Sequence, residues 1–186
     1  DREHVKVAAA EDTSEGKSEG KPEGKSEEQP GGQKQDQVVL ETSHILIATG
    51  SVPACPPIPG SSLPGVVTSD GLLDKKDMFE HLIIIGGGVI GMEFASVYSS
   101  LGHGVTVIEA LDRILPTMDK EIAQNLKMIM KKRNVDIHTG AKVEEILQTE
   151  DGKGLICRYT DKDKPCEARA DGILIATGRR AYTGGL

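Results

Sequence analysis

Three glycines and two glutamates carry the chemistry that can be read in this sequence. Gly86, Gly88 and Gly91 form G-x-G-x-x-G inside LIIIGGGVIGMEFAS, residues 82–96, where an apolar run enters the glycines and an amphipathic stretch follows. Between a strand and a helix, such glycines let a diphosphate lie against bare main chain. Gly86 permits the tight turn out of the strand, Gly88 removes the Cβ that would obstruct the ligand, and Gly91 lets the helix pack on the sheet. Val89 and Ile90 fall in the first helical turn, where N–H groups lack intrahelical partners and the helix dipole favours an anion. Glu109 lies 23 residues after Gly86, at the end of VTVIE. There a carboxylate can accept hydrogen bonds from ribose hydroxyls. A 2′-phosphate would meet like charge at Glu109, and the nearest arginine, Arg113, is four residues on. The pattern therefore favours NAD(H) over NADP(H). Glu93, two residues past the last glycine, reads by itself as an ordinary first-turn acid stabilised by the dipole.

The elements that must position these residues alternate. Leu82–Ile85 and Val105–Ile108 read as strands covered on both faces, and Val135–His138 as a third. Ile90, Phe94, Val97, Tyr98 and Leu101 recur at helical spacing, with Gly102 suited to the position just past the helix end. Asp119 can cap a second helix whose inner face is expected to be Ile122, Leu126, Ile129 and Met130, and whose last turn, Lys131 to Arg133, complements the dipole. Residues 143–170 hold three alternating segments separated by Asp151-Gly152 and the turn at 162–165, the signature of an antiparallel meander. Gly172–Ala176 is apolar again and should rejoin the parallel sheet. The expected fold is α/β: a Rossmann-like, right-handed βαβαβ parallel sheet with an antiparallel β-meander, plus flanking strands of a second domain.

The N-terminal part differs in character. Val5–Ala9 is strand-like, residues 11–37 repeat x-E-G-K with almost nothing apolar, and Val38–Ser51 reads as two strands broken near Thr42. The repeat cannot bury enough surface to offset its ordering entropy and is expected to be a disordered loop at a hairpin tip. Five prolines between Pro53 and Pro64 imply an extended connector. The expected divisions are 1–51 for the flanking strands, 52–80 for the connector and a short helix, 81–176 for the nucleotide-binding domain, and 177–186 for a returning segment.

Bulk properties narrow the class. With 186 residues and a net charge of -7, the chain suits a domain of ordinary size and argues against a nucleic-acid partner. Residues 11–37 hold eight acids and four lysines, a net of -4, so the remainder is close to neutral. Cys55, Cys157 and Cys166 form no C-x-x-C pair and no metal-ligand pattern, as expected of free thiols in a reducing cytoplasm. No apolar run approaches the ~18 residues of a membrane span. His4, His44, His81, His103 and His138 are scattered singly and read as structural or solvated.

Taken in order, HILIATGSVPACPPIPG, IIIGGGVIGMEFAS, VTVIEALDRILPTMDKEI and DGILIATGRRAYTGGL resemble the pyridine nucleotide–disulfide oxidoreductases, most of all the dihydrolipoamide dehydrogenase branch. The resemblance covers about residues 38–186. It implies a homodimeric flavoenzyme in which NAD(H) and a dithiol/disulfide substrate, dihydrolipoamide or another, exchange electrons through FAD. It assigns the diphosphate to Gly86, Gly88 and Gly91, the adenine-side ribose to Glu109, and to Glu93 a place near the nicotinamide end. Ala48-Thr49-Gly50 and Ala176-Thr177-Gly178 become crossover points between domains, with Gly178 close to the nicotinamide. The family's FAD fingerprint, its C-x-x-x-x-C pair, its downstream FAD-binding aspartate motif and its His–Glu base do not occur in the sequence, and the chain starts and stops within strands. The expectation is thus a fragment that binds NAD(H) weakly and turns nothing over by itself. Relatives sharing the fingerprint (an NADH oxidase, a coenzyme A–disulfide reductase, a mercuric reductase) and a stand-alone NADH-sensing module are the alternatives.

Overall fold

The computed structural model describes residues 3–8 and 37–186, and the chain divides into two units, Asp1–Ala48 and Thr49–Leu186. In the first, β1 (Glu3–Ala8) pairs antiparallel with β2 (Gln37–Thr42), Glu3 opposite Thr42 and Ala8 opposite Gln37. The disorder expected between the two strands falls on residues outside those described. The second strand expected within Val38–Ser51 does not form: residues 44–50 have no ladder, and Ile45, Leu46 and Ile47 are exposed. An apolar, β-branched run becomes a strand only where a neighbour supplies hydrogen bonds, and none of the described strands pairs with it.

The second unit contains β3 (Ser51–Pro53), β4 (Val66–Thr68), α1 (Ser69–Leu73), β5 (His81–Ile85), α2 (Val89–Ser100), β6 (Gly104–Glu109), α3 (Lys120–Lys132), β7 (Val135–Thr139), β8 (Ala141–Gln148), β9 (Leu155–Asp161), β10 (Lys164–Ala170), β11 (Gly172–Ile175) and β12 (Arg179–Ala181). Five strands make a parallel sheet in the order β4-β11-β5-β6-β7, and β8, β9 and β10 form the expected meander. Val66–Thr68, inside the stretch expected as connector, is the edge strand of the parallel sheet. Lys162 and Asp163 both have positive φ, 50° and 63°, the conformation of a two-residue hairpin loop matched to strand twist.

Alternation along the sheet explains why its strands read as uninterrupted apolar runs. Leu82, Ile84, Val105, Val107 and Leu174 face the helices, packing with Met92, Ala95, Tyr98, Ala123 and Met130. Ile83, Ile85, Ile108, Ile173 and Ile175 face the meander and pack with Ile146, Leu155, Cys157 and Tyr159. The sheet is the middle of three layers, and its central strands β11, β5 and β6 are buried on both faces.

The helices keep part of the expected stripes, with Tyr98 and Met130 buried and Phe94 and Leu126 packed against the core, but are turned from the rest. α3 buries Ala123 and Met130, whereas Ile122 and Ile129 are exposed. α2 buries Gly91, Met92, Ala95 and Tyr98, leaving Val97 and Leu101 in solvent. In both helices small residues (Gly91, Ala95, Ala123) share the contact face with Met92, Tyr98 and Met130, and they let the helix axis approach the sheet closely. The helix ends are as expected: the Asp119 carboxylate accepts the Glu121 N–H at 2.8 Å, and Gly102 follows α2 with φ 90°.

Candidate functional site

The site begins at the C-terminal end of β5. Gly86 has φ 112°, a region open to glycine, and a Cβ there would strike the Ala176 carbonyl on the neighbouring strand. Its N–H donates to Ile108 O at 2.9 Å, so the chain leaves β5 pinned to β6. A Cβ on Gly91 would overlap the Gly86 carbonyl and press on Ile84 Cγ2, so this glycine sets how closely α2 lies on the sheet. Gly88 is different. Its φ and ψ, -72° and -176°, suit any residue, and nothing lies within 4 Å of where a Cβ would stand. It is also the N-cap of α2, and no side chain caps that helix, in contrast to Asp119 on α3. The first-turn N–H groups of α2 therefore emerge into open space.

Glu109, at the end of β6, is buried, and its carboxylate is already engaged. Oε2 accepts the Gly87 N–H at 2.5 Å and Oε1 accepts the Leu111 N–H at 2.8 Å. The Gly87 carbonyl in turn accepts the Leu115 N–H at 2.8 Å. A Cβ on Gly87 would press against Ile114 Cγ2 at 2.9 Å and Glu109 Cβ at 3.1 Å. The middle glycine, passed over by the G-x-G-x-x-G pattern, is thus held by its neighbours as Gly86 and Gly91 are, and as Gly88 is not. Arg113 donates to Pro116 O at 2.8 Å, so its guanidinium is turned to its own loop.

A cleft of about 1100 Å³ collects these groups. Gly86, Gly88, Val89, Ile90, Glu109 and Gly178 line it together, with Ala141–Glu144 of the meander as the facing wall. Gly91 lies beneath, in the helix–sheet contact, and Glu93 is on the exposed side of α2 away from the lining. Two cations of the lining, Lys142 and Arg179, carry no motif by which sequence could reveal them. Arg179 is committed: its guanidinium donates to Ser51 O at 2.7 Å, Ser51 Oγ at 2.8 Å and Asp70 Oδ1 at 3.1 Å.

Thr49 and Gly50 meet the second Ala-Thr-Gly segment in a two-stranded neck, outside the cleft lining. β3 pairs antiparallel with β12, the Thr49 hydroxyl donates to Tyr182 O, and the Tyr182 N–H donates to Gly50 O at 3.0 Å. Thr177 Oγ1 donates to Ala54 O at 3.0 Å, and the Ala54 N–H to Gly178 O at 2.9 Å.

The model of the family described as pyridine nucleotide-disulphide oxidoreductase matches residues 3–186. The chain belongs to this family. Among curated relatives, dihydrolipoyl dehydrogenase 3 of Pseudomonas putida is 39% identical over 152 residues, covering 81% of this chain and 32% of the relative. Dihydrolipoamide dehydrogenase of Chaetomium thermophilum is 42% identical over 146 residues, covering 77% and 29%. The HOCl-induced flavoprotein disulfide reductase RclA of Escherichia coli superposes with a TM-score of 0.68 at 38% identity, over 81% of this chain and 33% of that one. The chain thus spans about a third of the length of the pyridine nucleotide-disulphide oxidoreductases it matches.

Proposed function

We propose that residues 81–176 are the NAD(H)-binding domain of an FAD-dependent, dihydrolipoamide dehydrogenase-like oxidoreductase, with 1–51 and 177–186 contributing to its FAD domain and 52–80 joining them. The observation that carries this reading is the empty space beside Gly88 at an uncapped helix N-terminus, with the Glu109 carboxylate lining the same cleft. The N–H groups of Val89 and Ile90 would hold the diphosphate, while Gly86 and Gly88 let it approach. Glu109, its orientation fixed by Gly87 and Leu111, would accept the adenine-side ribose hydroxyls with its remaining lone pairs. Gly178 would border the nicotinamide end and Glu93 would lie outside the direct contacts, while Thr49 and Gly50 would shape the neck between domains. NAD(H) rather than NADP(H) is supported by the Glu109 charge and by Arg113 facing Pro116.

The residues here fit NAD(H) and offer FAD no second glycine cradle among those described, so FAD is assigned to the larger protein. Bound there, it would supply two-electron exchange with a dithiol/disulfide substrate such as dihydrolipoamide. This chain's part is to bind and orient the nucleotide. On its own it should bind NAD(H) and turn over no disulfide; the larger protein would be a cytoplasmic homodimer. An NADH oxidase, a coenzyme A–disulfide reductase or a mercuric reductase would use the same cleft, and a C-x-x-x-x-C pair in the full coding sequence would favour the lipoamide enzyme. No helix among the described residues is long and apolar enough to cross a membrane.

Calorimetric titration of the chain with NADH and NADPH tests the reading. Binding of NADH in preference to NADPH is expected. Equal affinity, or no binding of either, would overturn it.

A further inference from the structure

His138 stands where two sheets meet. It lies on β7, the edge strand of the parallel sheet, and its ring nitrogens face carboxylates on different strands. Nδ1 is 2.9 Å from Asp161 Oδ2 on β9, and Nε2 is 2.9 Å from Asp136 Oδ2 on β7 itself. Carboxylate oxygens only accept, and a neutral imidazole owns a single N–H, so both contacts are satisfied together only by the imidazolium. A third group is within reach. The Tyr159 hydroxyl lies 3.4 Å from Nε2, its ring 5.2 Å from the imidazole. It can donate to Nε2 once that nitrogen has lost its proton.

We propose that His138 is a proton-operated clasp between the parallel sheet and the meander: charged, it bridges Asp161 and Asp136; neutral, it keeps Asp161 through Nδ1–H, releases Asp136 and takes the Tyr159 hydroxyl at Nε2. Burial sets the order of release. The Asp136 side chain is 68% exposed and the Asp161 side chain 21%, so water can replace the ring at Asp136 far more readily. The other Asp161 oxygen is buried without a partner, which makes the loss of Nδ1–H costlier still.

Asp136 from β7 and Asp161 and Tyr159 from β9 are the titratable groups that face the ring. Burial alone would lower the imidazole's proton affinity, but the hydrogen bonds to Asp161 and Asp136 outweigh it and hold the pKa above the ordinary histidine value. A raised folded-state value means that the clasp's stabilisation is complete below the unfolded pKa of about 6.5 and is lost as pH rises through the folded value. The clasp also adjoins the cleft. Asp161 is in register with Ala141, and the Gly140 N–H donates to Leu111 O at 2.7 Å; Ala141 and Leu111 both line the cleft wall. Loss of the proton turns the ion pair between β7 and Asp161 into a neutral hydrogen bond, which weakens the attachment of that wall.

The test is an NMR titration of the His138 ring in the full chain, with amide-exchange protection at Ala141–Val143. The wild-type pKa is expected above that of the unfolded chain. Asp136→Asn, a change at an exposed side chain, should lower it by removing a charged partner. Tyr159→Phe should raise it further by removing the neutral ring's donor. Protection at Ala141–Val143 should fall through the transition in wild type and stay level in His138→Gln. A wild-type pKa at or below the unfolded value, a Tyr159→Phe pKa unchanged or lowered, or protection that falls equally without His138 would overturn the clasp.

Discussion

Glu109 Oε2 accepts the N–H of Gly87 at 2.5 Å, so the acid that faces the cleft is also the brace of the glycine turn. Its other oxygen holds Leu111, and the Gly87 carbonyl takes the Leu115 N–H. The turn and the loop after β6 are therefore one hydrogen-bonded body.

Replacing Glu109 by alanine leaves two backbone donors without their acceptor, at a cost of about 1–3 kcal/mol. For a chain of this size each kcal/mol lowers the melting temperature by about 2–4 °C. Glu109→Gln, which keeps an acceptor oxygen, should lose less. Glu109→Arg brings only donors to two N–H groups, so any gain in NADPH affinity should come with a melting temperature at least as low as that of the alanine variant. A Glu109→Ala protein that melts like wild type would show that the brace is dispensable.

Gly88→Val separates binding from folding. The valine finds an allowed conformation and open space, but its side chain occupies the room left for a ligand. NADH affinity is expected to fall at least about tenfold, equivalent to ~1.4 kcal/mol, with the thermal transition close to wild type. Unchanged affinity by calorimetry would count against a ligand at this glycine.

Gly91→Ala should do the reverse. One methyl group meets the Gly86 carbonyl and Ile84, and α2 must move off the sheet. Overpacking of this kind costs about 1–3 kcal/mol, which thermal unfolding would register even without nucleotide.

The thiols should differ in reactivity. Cys157 is buried between the sheet and the meander, and burial pushes its pKa up to about 12, whereas Cys55 is exposed. Alkylation at pH 8 followed by mass spectrometry should modify Cys55 in the folded chain and Cys157 only after denaturation. Early labelling of Cys157 would mean that the meander opens readily.

How much of this is legible in the sequence depends on how far each cause lies from its effect. Gly86, Gly88, Gly91 and Glu109 need only a strand, a helix start and a fixed spacing, all local signals. Gly87 is constrained by Glu109 and Ile114, which only the folded loop brings against it. Periodicity finds a helical stripe but does not choose between Ile122 and Ala123, one residue and 100° apart; the close approach of the sheet selects the alanine. Residues 44–50 read as a strand because their side chains suit one, yet pairing is a property of two segments. His138 reads as a solitary histidine because Asp161, its second partner, sits on another strand.

The neck formed by β3 and β12 has a topological consequence. The larger unit begins at Thr49, and near its other end Tyr182 comes back to Thr49 and Gly50, in a neck bolted by Arg179 to Ser51 and Asp70. A body whose ends already touch can be lifted out and rejoined by a short bridge, since closing so small a gap costs little chain entropy. Residues 49–182 thus begin and end at one place, so a short linker could join Thr49 to Tyr182 with little loss of chain entropy.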